Sequence, residues 1–116
     1  MSLIKRAKGS ILSFSIKSGV NFSIGKAVYI NNGEADLADK DLDKKAYGFV
    51  RDIQGSTVIV QTDGVLPTSS SVGKYWLSTS GDITQTVPSS GTLQEVAMGL
   101  TGNKIMITID TTTIKI

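Results

Sequence analysis

Between Ser10 and Lys17 the chain alternates, with Leu12, Phe14 and Ile16 on one side of an extended segment and Ile11, Ser13, Ser15 and Lys17 on the other. A two-residue period is that of a β-strand with one drier face. Lys26 to Asn31 repeats the pattern with β-branched and aromatic residues, and Asn31-Asn32-Gly33 reads as a hairpin turn because Asn and Gly tolerate positive φ. From Glu34 to Lys45 the pattern fades into charge, with Leu37 and Leu42 the only large apolar side chains. A solvated loop, or one short helical turn at ADKDLDKK, is expected there.

Alternation returns over Ala46 to Ile53, where Gly48 between aromatics predicts a close backbone approach or a bulge. Gln54-Gly55-Ser56 turns the chain into Thr57 to Asp63, with Val58 and Val60 opposite Thr57, Ile59 and Gln61. A short extended VLPT follows the Asp63-Gly64 turn, and Tyr75 to Thr79 forms the most aromatic strand. Ser80-Gly81-Asp82 is a tight turn, and Ile83 to Val87 is a return strand stopped by Pro88. Leu93 to Leu100 and Lys104 to Asp110 make a final hairpin through Thr101-Gly102-Asn103, with the terminal TTTIKI continuing its second strand. Short strands with turns about every ten residues predict an all-β fold, a small antiparallel β-barrel or sandwich with short hairpins.

Composition narrows this. A chain of 116 residues has room for one domain, since two independent cores would each be near the lower limit of stable folding. Residues 10–116 are therefore expected to form a single β-barrel domain, preceded by a basic N-terminal arm over 1–9. The start superficially resembles a secretion signal, but Ser13 and Ser15 interrupt its apolar run and it is not read as one. No stretch approaches the roughly 18 to 20 apolar residues that cross a bilayer, so no membrane partner is expected.

Charge and chemistry exclude more than they offer. The chain has no Cys and no His, which removes disulfides, thiolate nucleophiles, the usual neutral-pH base and the commonest transition-metal ligands. Serines are plentiful, but none sits in GxSxG or SxxK. The acids Glu34, Asp36, Asp39, Asp41 and Asp43 are interleaved with Lys40, Lys44 and Lys45 and match no calcium loop. No catalytic residue, cofactor or metal ligand is expected, and the protein reads as a non-enzyme.

Two groups remain as candidates for binding. Tyr75 and Trp76 are adjacent on one strand and so point to opposite faces, one into the core and the other outward as a surface or interface anchor. A small barrel with exposed aromatics also suits single-stranded nucleic acid, but a net charge of +2 and few basic residues in the second half argue against that partner. Lys5, Arg6 and Lys8 cluster in the arm before the first strand, as a solubilising terminus or a docking arm for an acidic surface.

Five segments in this order, GKAVYINNGEADLAD, AYGFV, TVIVQTDGVL, GKYWLSTSGDITQTVPSSG and LQEVAMGLTGNKIMITID, resemble a small β-barrel module of bacteriophage virion proteins, of the head decoration, head fibre and tail fibre type. The resemblance runs from about Lys17 to Asp110. It implies a non-catalytic virion protein, self-associated as a homotrimer and attached to the capsid or another virion protein through its N-terminal segment. A head decoration or head fibre role is the first expectation, and a tail fibre or baseplate component involved in host recognition is the alternative.

Overall fold

The computed structural model describes residues 11–116. Its first unit comprises β1 (Ile11–Ile16), β2 (Ala27–Asn31), β3 (Glu34–Leu37), β4 (Gly48–Gln54) and β5 (Thr57–Gln61). They close into a barrel in the order β1-β3-β2-β4-β5, with β1 antiparallel to β5 and parallel to β3. The second unit comprises β6 (Gly64–Pro67), β7 (Gly73–Leu77), β8 (Ile83–Thr84), β10 (Glu95–Leu100) and β11 (Lys104–Ile107). These form an open antiparallel sheet, ordered β6-β11-β10-β7-β8. A two-stranded ribbon joins β9 (Thr92–Leu93) to β12 (Ile114–Lys115). The all-β reading holds, as a barrel and an open sheet packed together.

The packing follows from the two-residue period. Val28 of β2, Ala35 of β3, Val50 of β4, and Val58 and Val60 of β5 are fully buried inside the barrel, with Phe14, Ile16, Ile30 and Ile53 packed against them. Their neighbours Ala27 and Phe49 point the other way, and with Ala38 and Ala46 they meet Leu66, Leu77, Val96, Ala97, Ile105 and Ile107 from the region of the open sheet. β2 and β4 are thus lined with apolar groups on both faces at their starts, because each serves two cores. Burial of a core side chain of this kind contributes about 1.5–3 kcal/mol.

Turn chemistry sets the hairpins. Asn32 and Gly33 both adopt positive φ, 53° and 78°, between the paired residues Asn31 and Glu34. That is the type I′ geometry whose twist matches the flanking strands. Gly48 is the predicted close approach, since a Cβ there would lie 2.5 Å from Val60 Cγ1 and 2.7 Å from the Gln61 carbonyl oxygen. The bulge in this strand lies further along, between Val50 and Asp52.

Three local expectations are corrected. Glu34 to Leu37 is not a solvated loop but a barrel strand, with Ala35 completely buried. Its inward residue is only an alanine, so the hydrophobic pattern was weak although the space between β1 and β2 was fully used. No helical turn forms at ADKDLDKK; Asp39 and Lys44 form an isolated antiparallel bridge instead. The terminal TTTIKI does not extend β11, but turns back so that Ile114 pairs with Leu93 and Lys115 with Thr92.

Candidate docking face

The outer surface of the open sheet carries the first sequence candidate. In β7 the side chain of Tyr75 turns inward and packs against the core, and its hydroxyl oxygen accepts a hydrogen bond from the Ser71 N–H at 2.9 Å. Trp76 points to the opposite face, half-buried, with the Lys74 ammonium 5.5 Å from its ring centroid. A cation above an indole face is attracted by the ring quadrupole. Lys74 also reaches Glu95 at 3.5 Å, and the other Glu95 oxygen accepts from the Thr108 hydroxyl at 3.1 Å. Tyr75 thus faces the core and Trp76 the opposite side of the strand, both half-buried.

Strand register places further apolar residues on the same face as Trp76. Met106 stands opposite Val65 on β6 and Met98 on β10, and Met98 stands opposite Lys74 on β7. Val65 is 45% and Met106 43% exposed. Leu100, half-buried, lies two residues from Met98 on the same face. The result is an apolar row of Val65, Met106 and Met98 that ends at Lys74, with Trp76 on the same face beyond Lys74 and opposite Glu95. Aromatic and Met-rich patches with charged margins have the composition of protein interfaces. Sequence reading singled out Trp76 and missed the methionines, although the signal was available in KIMITID. There Met106 occupies the side of an alternating strand where a polar residue belongs.

The acidic series is structural. Asp36 is buried and receives Lys44 at 2.8 Å and Lys17 at 3.6 Å on one carboxylate oxygen, while the Leu37 N–H donates to the other at 2.8 Å. Burial opposes its charged form, but the Lys44 hydrogen bond, the Leu37 N–H and the charges of Lys44 and Lys17 outweigh this, holding its carboxyl below the ordinary value of 3.8. The hydrogen bond to Asp36 in turn raises Lys44 above 10.5. Asp39, also buried, accepts from the Asp41 N–H at 2.9 Å and the Ser80 N–H at 3.0 Å, tying this segment to the turn before β8. Among the described residues no three carboxylates converge on a common point.

Two buried glutamines fasten the barrel to the sheet. Gln61 donates to the carbonyl oxygens of Asp63 and Val65, at 2.8 and 3.0 Å, and accepts from Arg51 at 2.6 Å. Gln94 accepts from the Ala46 N–H at 2.8 Å and donates to the carbonyl oxygens of Ala46 and Asp110, at 3.2 and 3.0 Å. The arm residues Lys5, Arg6 and Lys8 lie outside the described residues. Compared with family models, curated proteins and solved structures, the chain matches none of them.

Proposed function

We propose that the chain is a non-enzymatic structural protein of a bacteriophage virion, a head decoration or head fibre protein that self-associates as a homotrimer and docks on the capsid. The five-segment resemblance supports the virion assignment. The observation that carries the binding role is the outer face of the open sheet, where Val65, Met98, Met106 and Trp76 share one side of the sheet and no element among the described residues covers it. An apolar face of this kind costs solubility in a free monomer and stabilises a contact with a neighbouring subunit. In this reading that neighbour is another copy of the chain, and attachment to the capsid runs through Lys5, Arg6 and Lys8.

The deciding experiment is to label the protein in purified virions and see whether the label lies on the head. Label on the tail overturns the decoration role in favour of host recognition, and absence from the particle overturns the virion assignment. Light scattering of the free protein at micromolar concentration tests the trimer, which a monomer at every concentration would refute. Deleting residues 1–9 is expected to weaken particle attachment in a salt-sensitive way.

A further inference from the structure

A second surface lies on the seam between the barrel and the open sheet, and its lining includes none of Val65, Met98, Met106 and Trp76. A cavity of about 440 Å³ opens there, lined by Ile24, Gly25 and Lys26 from the approach to β2, by Thr68 and Ser69 after β6, and by Ser78 and Gly81 to Ile83 around the turn into β8. Its size falls within the range of about 300–1,000 Å³ usual for small-molecule sites. Three segments distant in sequence build it. Backbone bonds hold them in place, with Ala27 N–H donating to the Gly81 carbonyl oxygen at 2.8 Å and Gly25 N–H to that of Val50 at 2.9 Å. The chain passes close at one wall, where a Cβ on Gly25, at φ 91°, would lie 2.7 Å from the Thr68 hydroxyl oxygen.

The lining chemistry is selective. Lys26 and Asp82 form an ion pair in the cavity wall. The pair is neutral overall and sets a cationic donor beside an anionic acceptor. Two adjacent hydroxyls of one ligand match it, one donating to the carboxylate and the other accepting from the ammonium, and charge-assisted bonds of this kind are the stronger ones. The hydroxyls of Thr68, Ser69 and Ser78 line the same cavity and can donate or accept. The Ser69 hydroxyl has no protein partner among the described residues. Ile24, 57% exposed, and Ile83 supply apolar surface for C–H groups.

Other ligand classes fit less well. A phosphate would meet the Asp82 carboxylate, and the one ammonium among the described lining residues already faces that acid. A divalent cation would find a single carboxylate among the described lining residues, with an ammonium against it.

We infer that this seam cavity binds a neutral, polyhydroxylated ligand, one or two sugar units, with the Lys26 and Asp82 pair engaging vicinal hydroxyls and Ser69 a third. The site shares no lining residue with the docking face and does not depend on the virion assignment.

The test uses the full-length chain labelled with nitrogen-15. It is titrated with the methyl glycosides of glucose, galactose and mannose and with N-acetylglucosamine, and in parallel with inorganic phosphate and triglycine. At least one sugar is expected to give saturable shifts of the Ile24, Gly25, Ser69, Gly81 and Asp82 amides, with a Kd of about 1 mM. Asp82→Asn, close in volume, is expected to weaken it about tenfold, the loss of one charge-assisted bond. Ser69→Ala is expected to weaken it severalfold. It also decides the matter if Asp82→Asn disturbs amides elsewhere, since the Ser69 hydroxyl bonds to no other described residue.

Absence of shifts at these amides with all four sugars overturns the inference. So does sugar binding unchanged in Ser69→Ala, or saturation by phosphate or triglycine in place of sugar. Trp76, Met98 and Met106 report on self-association separately, so failure of the trimer is not mistaken for failure of this site.

Discussion

The barrel and the open sheet are made from strands of similar length and the same alternation, yet their surfaces have opposite consequences. In the barrel each of β1 to β5 has a hydrogen-bonded neighbour on both sides, because β1 pairs with β5 and closes the ring. Its buried apolar groups serve its interior and the seam core, with Ile11 and Leu12 of β1 left exposed, and its most charged segment is tied down by Asp36 and Asp39. The open sheet ends at β6 and β8 and packs only its inner face against the barrel. Unpaired edges and an uncovered apolar face are what proteins remove unless a partner uses them. The β6 edge is blunted by Pro67, which lacks an N–H, and by its four-residue length. The face retains Met98, Met106 and Trp76. Closure suits a scaffold, and an open sheet with an apolar outer face suits a binding surface.

The largest effect is expected from breaking the core between the two units. Phe49 leaves a barrel strand to pack against the sheet and is completely buried. Phe49→Ala is expected to cost about 3–5 kcal/mol. Because one core joins the units, far-ultraviolet dichroism and Trp76 fluorescence should still report a single denaturant transition. Two separated transitions would show that barrel and sheet fold independently.

Next comes the polar fastening. Gln94→Ala leaves the Ala46 N–H without its partner in a buried site, at an expected cost of about 1–3 kcal/mol. Hydrogen exchange at the Ala46 amide should accelerate more than at Val58 or Val60 inside the barrel. Equal acceleration at all three would mean that the glutamine does not act at the seam.

The third contrast is in pH dependence. The folded-state pKa of Asp36 is depressed, so its contribution is present above 3.8 and is lost as pH falls through the lower folded value. Lys44 is raised, so its contribution is present below 10.5 and is lost as pH rises through the higher folded value. Asp36→Asn should flatten the acid limb of stability against pH below 3.8, measured by urea midpoints. An unchanged acid limb would remove Asp36 as a brace of the barrel. The outer face of the open sheet has no such buried acid, so Trp76→Ala should leave that limb intact.

The smallest effect on stability is expected at the docking face itself. Met106→Glu alters a side chain 43% exposed, and its effect on stability should be about 0.5 kcal/mol or less. It should nonetheless abolish self-association in light scattering, by placing a charge in the middle of an apolar contact. A substituted protein that assembles like the native one would move the interface off this sheet.

Much of the fold was legible in the chain. The alternation of Ile105, Ile107 and Ile109, the Asn32-Gly33 turn, the close approach at Gly48 and the inward and outward split of Tyr75 and Trp76 are local properties. They follow from strand period, positive φ and side-chain volume, which a few neighbouring residues specify. The candidate face was half legible: Trp76 stood out, whereas Val65, Met98 and Met106 become neighbours only through the pairing of β6, β11, β10 and β7.

Tertiary structure alone decided three further matters. It closed β1 to β5 into a ring while leaving β6 to β8, β10 and β11 open, a choice made by long-range pairing energy that no single segment contains. It recruited Glu34 to Leu37 as a strand, since a narrow barrel had room for Ala35 and the ion pairs of Asp36 offset its burial. It folded Ile114 and Lys115 back onto Thr92 and Leu93, where unpaired backbone groups of β9 gained partners. A two-residue period fixes which way a side chain points from its own strand. Which strand it meets depends on the cost of closing loops and on the unpaired edges that remain.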